Sequence, residues 1–172
     1  MSCFKEDTKI LTNLGYIPIQ HLRKGDLVKT LNNDYKAVDI IGCLEIYNKC
    51  LNERINEQLY ICSREHYPEI IEDLIITGCH SILVDLFKDE IQKLLVKSVF
   101  GKIYMTDNKY RLPVCLDDRA IIYKNEGFVN VYQIALENND YYMNYGIYAN
   151  GLLVESSSKY FLEKKSKMRL ID

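Results

Sequence analysis

The chain has 172 residues, of which 48% are hydrophobic and 27% are charged, and its formal net charge is −2. This length and composition predict one folded domain with a core of its own, and they exclude a disordered chain. The charge is close to neutral and no run of Lys or Arg exceeds a pair, so we expect no nucleic-acid partner.

Targeting signals are also missing from the sequence. No apolar run reaches the roughly 18 residues of a membrane span, and the first seven residues lack the pattern of a secretion signal. We therefore expect a soluble, cytoplasmic protein without a membrane partner. The six cysteines are expected to be reduced thiols, because a domain of this size does not need disulfides.

The first half of the chain is typical of short β-strands. Residues 3–30 alternate between apolar and polar positions, with a turn at Gly15 and a second at Lys24-Gly25-Asp26. Residues 35–47 are rich in β-branched side chains and predict one long strand, with Gly42 as a candidate bulge. Two further strands are predicted at 59–62 and 74–77, after a loop or helical turn at 51–58.

The second half adds one inserted helix. Apolar residues recur at helical spacing over 86–100 and Gly101 ends the repeat. Short strands are then predicted at 103–105, 112–116, 120–123, 128–136 and 145–154, and a C-terminal helix at 159–168, capped by the serines at 156–158. No internal repeat is visible. The chain is therefore predicted to be mainly β, while the pattern alone leaves sandwich, barrel and irregular β folds open.

Three separated stretches carry a family resemblance. They are residues 3–30, which open on Cys3; Thr77-Gly78-Cys79-His80; and Ala149-Asn150-Gly151-Leu152-Leu153-Val154. Together they resemble the Hint domain, the fold shared by hedgehog autoprocessing domains and inteins. The resemblance implies a horseshoe-like, pseudo-twofold β fold over residues 3–155. Residues 1–2 would then be a remnant of an upstream segment, and residues 156–172 a C-terminal helical tail.

The resemblance also implies a catalytic set. Cys3 would attack the carbonyl of the residue before it and form a thioester by an N-to-S acyl shift, which divides one difficult cleavage into two easier steps. Thr77 and His80 match the Thr-x-x-His motif of the family, whose side chains contact the scissile peptide. Alone, a terminal cysteine or a histidine beside a strand is more often structural, so we expect these three residues to converge, with the first strand beside the last.

The C-terminal end departs from the splicing pattern. Gln133 and Tyr145 occupy positions where inteins often carry Asp and His, and Glu155 and Ser156 replace the final His-Asn pair. Serine has no side-chain amide that could cyclise, so complete splicing is not expected. Asn150-Gly151 matches a turn between two strands and predicts a hairpin instead.

The predicted function is therefore release or transfer of an upstream fused polypeptide, with water, a thiol or another nucleophile as acceptor. The main alternative is a Hint-fold structural or protein-binding module that has lost processing; a cysteine peptidase acting on other proteins is a weaker one. We expect no cofactor and no metal, since Cys62, His66, Cys79 and His80 fit no zinc spacing. Cys79 is predicted to be a core thiol. A viral or microbial origin, with residence in the host cytoplasm if viral, also fits the resemblance.

Overall fold

A computed structural model describes residues 1–171, and antiparallel strands dominate it. The strands are β1 Phe4–Lys5, β2 Lys9–Thr12, β3 Gly15–Pro18, β4 Leu27–Lys29, β5 Tyr35–Asn48, β6 Leu59–Cys62, β7 Leu74–Thr77, β8 Ser81–Val84, β9 Met105–Thr106, β10 Lys109–Pro113, β11 Ile121–Ile122, β12 Gly127–Leu136, β13 Gly146–Ala149, β14 Leu152–Glu155 and β15 Arg169–Ile171. The α-helix α1 spans Glu90–Phe100. The prediction of a mainly β chain is confirmed.

The long strands β5 and β12 form the centre of the sheet, paired from Gly127 opposite Asn48 to Leu136 opposite Val38. The short strand β1 lies between β12 and β7, with Phe4 opposite both Tyr132 and Ile76. The predicted last strand, residues 145–154, forms β13 and β14, and β13 pairs with β2 at Ala149 opposite Ile10, so the expectation that the first strand lies beside the last is confirmed for β2 but not for β1. Because β1 has a neighbouring strand on each side, Cys3, the residue before it, lies in the interior of the sheet and not at its edge.

Two corners of the fold repeat each other. The hairpin β2–β3 ends at Pro18 and continues into a 3₁₀ turn at Ile19–His21. The hairpin β9–β10 ends at Pro113 and continues into the 3₁₀ turn Val114–Leu116. The backbone angles of the two prolines nearly coincide, with φ and ψ of −54° and 134° at Pro18 and −57° and 133° at Pro113. An internal structural repeat therefore exists, although none is visible in the sequence.

The inserted helix forms where its periodicity predicts it, but it starts later and faces the other way. Asp89 caps its first turn by accepting a hydrogen bond from Gln92 N at 2.8 Å. The predicted apolar positions Ile91 and Leu94 are 70% and 64% exposed. Gln92 is buried instead, because its amide donates to the Leu116 carbonyl and accepts from Lys88 N. Helical spacing therefore identifies the helix but not the face that packs.

The predicted C-terminal helix was too long. Only a short helical segment forms, ending in a π-helical turn at Phe161–Lys165, and the chain then extends into β15, which pairs with β5. Gly42 is not a bulge either, since the register slips between Ala135 and Leu136. A Cβ at Gly42 would lie 3.0 Å from the Met168 Cβ, so glycine there lets the tail pack against β5.

Candidate active site

Cys3 lies at the start of β1, and its side chain is buried. Its backbone N–H donates to Thr77 Oγ1 at 2.8 Å, and its carbonyl accepts from Thr77 N at 3.1 Å. Burial raises the pKa of the Cys3 thiol to about 12, so at neutral pH the sulfur carries its proton. The site therefore holds the cysteine in a fixed position but does not hold it as a thiolate.

Thr77 stands at the end of β7 and contacts the chain on both sides of residue 2. Its hydroxyl donates to the Met1 carbonyl at 2.6 Å while its oxygen accepts the Cys3 N–H. A hydroxyl can do both, because it has one proton and two lone pairs. Thr77 thus fixes the backbone before and after the Ser2 carbonyl.

His80 follows β7 through a tight turn in which its N–H donates to the Thr77 carbonyl at 2.9 Å. Gly78 makes the turn possible, since a Cβ there would lie 2.8 Å from the Ile55 carbonyl oxygen. The imidazole is completely buried, and its ring centroid lies 4.3 Å from that of Phe4. The structure therefore places His80 beside β1, next to Cys3.

The protonation state of His80 follows from its contacts. Nε2 lies 3.0 Å from the Glu155 carbonyl oxygen, which can only accept, so Nε2 bears the proton. Burial lowers the pKa of His80 to about 4, although the backbone of Glu155 and of Cys3 acts in the opposite direction. At neutral pH, Nδ1 is then unprotonated, and within residues 1–171 it has no hydrogen-bond partner. A buried acceptor without a protein partner is uncommon enough to require an explanation, and a catalytic role is one of the available explanations.

Cys79 was wrongly predicted to be a core thiol. The alternation of side chains in a strand does not apply to it, because Gly78 and Cys79 lie in the turn after β7. Cys79 is only half-buried and borders the groove that holds Met1 and Ser2. Its thiol helps raise the pKa of the Met1 amino group. Cys79 and His80 therefore lie close to the same stretch of backbone.

Gln133 also contacts this stretch of backbone, although the sequence pointed to it only as a neutral residue at a position where inteins often carry Asp. Its side chain is fully buried on β12, and Nε2 donates to the Ser2 carbonyl at 2.8 Å. Its Oε1 accepts from Ile134 N at 2.9 Å. The family resemblance draws attention to position 133, but the contact with the Ser2 carbonyl depends on the pairing of β1 with β12.

An open groove of about 810 Å³ runs beside Met1 and Ser2. Aromatic side chains form much of its wall, namely Phe100, Tyr104, Tyr142, Tyr160 and Phe161. Arg111 and Glu155 also border it, with Arg111 Nε 3.1 Å from Glu155 Oε2 but misaligned for a hydrogen bond. Burial raises the pKa of Glu155 in spite of this arginine.

The C-terminal side of the groove is formed by Glu155 and the serines that follow it. The Ser156 carbonyl accepts from Asn144 Nδ2, and the Ser156 hydroxyl accepts from Tyr145 N, each at 3.0 Å. The hydroxyl of Tyr145 is engaged by Asn138 and the Glu137 carbonyl. In this region the carbonyl of residue 156 is held, but the residue itself has no amide that could cyclise.

Asn150 and Gly151 form the predicted turn between β13 and β14, with φ values of 46° and 94°. The Asn150 side chain accepts from Lys9 N at 2.7 Å and donates to the Asp73 carbonyl at 2.9 Å. Both ends of the amide are therefore engaged, which keeps it from attacking its own backbone. The predicted hairpin is confirmed.

Two further features bear on cofactors and membranes. Over residues 1–171, no group of three or more His, Cys, Asp or Glu side chains could hold a metal ion. In the same part of the chain, no helix has both the length and the apolar character needed to cross a membrane.

A cysteine just before β1, held against a Thr-x-x-His turn on a large antiparallel sheet, is the arrangement expected of an intein-like domain. A family model described as Hint domain matches residues 2–159. The chain therefore belongs to the Hint domain family, a family of self-processing domains, and the predicted Hint fold is confirmed.

A solved intein structure agrees with this fold. A variant of the Ssp DnaB mini-intein matches with a TM-score of 0.51 and 14% sequence identity, over 91% of this chain and 95% of that one. An intein-like domain from Clostridium thermocellum matches with a TM-score of 0.49 and 16% sequence identity, over 91% of this chain and 99% of that one. The gp41-1 intein matches with a TM-score of 0.48 and 15% sequence identity, over 90% of this chain and 98% of that one. A search of curated proteins found no match.

Proposed function

We propose that this domain processes a polypeptide fused before Cys3, by converting the Ser2–Cys3 peptide bond into a thioester. The observation that carries the proposal is the double contact of Thr77, which accepts the Cys3 N–H at 2.8 Å and donates to the Met1 carbonyl at 2.6 Å. These contacts fix the peptide on both sides of the Ser2 carbonyl. A reacting bond held in this way has already lost much of the entropy that its reaction requires.

The reaction is an isomerisation followed by a transfer. Cys3 Sγ attacks the Ser2 carbonyl carbon, so a carbon–sulfur bond forms and the carbon–nitrogen bond breaks, and the thiol proton ends on the Cys3 amine. An acceptor then attacks the thioester carbonyl, the carbon–sulfur bond breaks, and the sulfur regains a proton. Water, a thiol or another nucleophile can reach this carbonyl through the groove beside Ser2.

His80 supplies the proton transfer. Because the pKa of the Cys3 thiol is about 12, the thiol must lose its proton as it attacks. Neutral His80 has its Nε2–H engaged by Glu155, and its unprotonated Nδ1 is free to take that proton and deliver it to the Cys3 nitrogen. Thr77 acts differently, as an acceptor that orients the departing N–H.

A fusion tests the proposal. A reporter protein is attached before Met1, with Met1 and Ser2 retained, and its release is followed by mass spectrometry. The wild-type fusion should release the reporter at the Ser2–Cys3 junction, and Cys3→Ala should abolish the release. Cys50→Ala is the matched control, because Cys50 is another unpaired cysteine and lies outside the site. A wild-type fusion that stays intact with thiols or hydroxylamine would contradict the proposal.

A second candidate function is that of a Hint-fold binding module without processing. The observation in its favour is the burial of Cys3, which keeps the thiol protonated. The same reporter fusion distinguishes the two candidate functions. If the domain is only a binding module, the wild-type fusion and the Cys3→Ala fusion both stay intact.

A further inference from the structure

The carbonyl of Ser2 has a donor that the sequence pattern does not assign. Gln133 Nε2 lies 2.8 Å from the Ser2 carbonyl oxygen and 3.3 Å from the Ser2 hydroxyl. The antiparallel register of β1 and β12, with Phe4 opposite Tyr132, places Gln133 opposite Cys3 when it is continued by one residue. The contact is therefore set by the sheet itself.

The orientation of the Gln133 amide is fixed by the backbone. Its Oε1 accepts from the N–H of Ile134 at 2.9 Å, and an N–H group cannot form that bond with the NH₂ end of the amide. The NH₂ end must then point at residue 2. Because Gln133 is fully buried, this donor is also shielded from water, which strengthens its interaction with a charge.

We propose that Gln133 is a catalytic residue whose amide stabilises the oxyanion that forms on the Ser2 oxygen when Cys3 attacks; this inference rests on the proposed self-processing. In the attack, the carbonyl π electrons move onto oxygen as the carbon–sulfur bond forms, and they return as the carbon–nitrogen bond breaks. The developing negative charge lies within reach of Gln133 Nε2. Such stabilisation requires a donor roughly 2.7 to 3.1 Å from the place that the oxyanion will occupy, and Gln133 Nε2 is already directed at the oxygen that becomes the oxyanion.

The chemistry of the side chain suits this step. A carboxamide donates at every pH, whereas an ionised carboxylate in the same place would repel the oxyanion. Thr77 does not fill the role, because its proton is directed to the Met1 carbonyl. Release of residue 2 would also remove the Gln133 Nε2 contact with the Ser2 carbonyl, so this contact belongs to the uncleaved state.

Gln133→Met is the first test, in the reporter fusion with native Met1 and Ser2. Methionine keeps the length and volume of the side chain but has no N–H donor. The rate of reporter release should fall by roughly 10²- to 10³-fold, as for the loss of one oxyanion donor. Gln92→Met is the matched control, because it removes a buried amide from α1, outside the groove, and should leave the rate within about twofold of wild type.

Gln133→Glu is a second variant with the same shape, in case methionine disturbs the fold. Under alkaline conditions, its ionised carboxylate offers no donor, and release should be slowed at least as strongly as in Gln133→Met. Circular dichroism and thermal unfolding establish that each variant is folded. Folded variants that release the reporter at the wild-type rate would overturn the role of Gln133 while leaving self-processing intact. A wild-type fusion that releases nothing would overturn both.

Discussion

On the proposed function, the two junctions of this domain meet at one groove but carry different chemistry. At the N-terminal junction, the Cys3 backbone is engaged by Thr77, and the Ser2 carbonyl is engaged by Gln133. At the C-terminal junction, the Ser156 carbonyl is held by Asn144, but the residue in the position of the cyclising amide is a serine. The difference teaches that the fold can position a carbonyl without the means to break the bond beside it.

His80 connects the two junctions. Its Nε2 contacts the Glu155 carbonyl, and its ring lies against β1 through Phe4. In a splicing domain, one histidine so placed could serve both ends in turn. On the proposed function, only the N-terminal end has a nucleophile, so we expect the chemistry of His80 to be confined to it.

Among variants that keep Cys3, the largest change is expected from His80→Gln in the reporter fusion. Glutamine fills similar space and can still contact the Glu155 carbonyl, but it cannot accept and return a proton. Reporter release should fall by roughly 10²- to 10⁴-fold, which is the usual range for a general acid or base. His66→Gln is the control, since His66 is partly exposed on a loop. Equal rates in both variants would show that His80 only packs the site.

The stability of the domain should depend on pH through the same residue. The pKa of His80 is about 4 in the fold and 6.5 ordinarily, so the unfolded chain binds more protons between these values. The contribution of neutral His80 to the free energy of unfolding is complete above pH 6.5 and is lost as the pH falls toward 4. The expected change is on the order of 3 kcal/mol.

Urea unfolding at several pH values measures this change. Because Glu155 is also shifted, the useful quantity is the difference between the wild type and His80→Gln across the pH series. The wild type should lose stability relative to His80→Gln as the pH falls. A difference that stays constant with pH would mean that His80 titrates normally.

A smaller effect is expected where the tail meets the sheet. Gly42→Ala would place a methyl group 3.0 Å from Met168 and 3.4 Å from Leu162. Overpacking of this kind costs about 1 to 3 kcal/mol of unfolding free energy, and protease sensitivity of the tail should rise with it. Glu45→Ala, at an exposed position on the same strand, should change stability by less than about 0.5 kcal/mol. Equal stabilities would show that the tail moves aside freely.

The smallest effect is expected at the C-terminal junction. The wild-type chain should show no cleavage after Ser156 while the reporter is being released upstream. Ser156→Asn supplies an amide, but the neighbouring Glu155 and Tyr145 are not the histidines of splicing domains, so only a minor C-terminal product should form. Intact-mass spectrometry of the domain measures it. Rapid wild-type cleavage after Ser156 would remove the contrast between the junctions.

The sequence was sufficient for the parts of the fold that local patterns determine. The strands at Leu59–Cys62 and Leu74–Thr77 and the existence of α1 follow from composition and periodicity, and the Asn150-Gly151 turn follows from the Hint resemblance and the preference of Asn-Gly for tight turns. The exposed face of α1 could not be predicted, because it depends on Gln92 finding partners at Leu116 and Lys88. The strand β15 depends equally on a distant surface, provided by β5.

The site follows the same division. Cys3, Thr77 and His80 are identifiable from two short motifs, and the structure brings them together. Gln133 and the groove position of Cys79 are not identifiable in this way, because they depend on which strands pair and on where a strand gives way to a turn. Their chemistry is therefore a property of the tertiary fold.

The most direct test of the account is to trap the acyl group at the Ser2 carbonyl. The purified reporter fusion is treated with hydroxylamine, and the mass of the released reporter is measured for the wild type and for Cys3→Ala. The account predicts a reporter that ends at Ser2 as its hydroxamate, formed only when Cys3 is present. An intact fusion, or release at another bond that persists in Cys3→Ala, would contradict it.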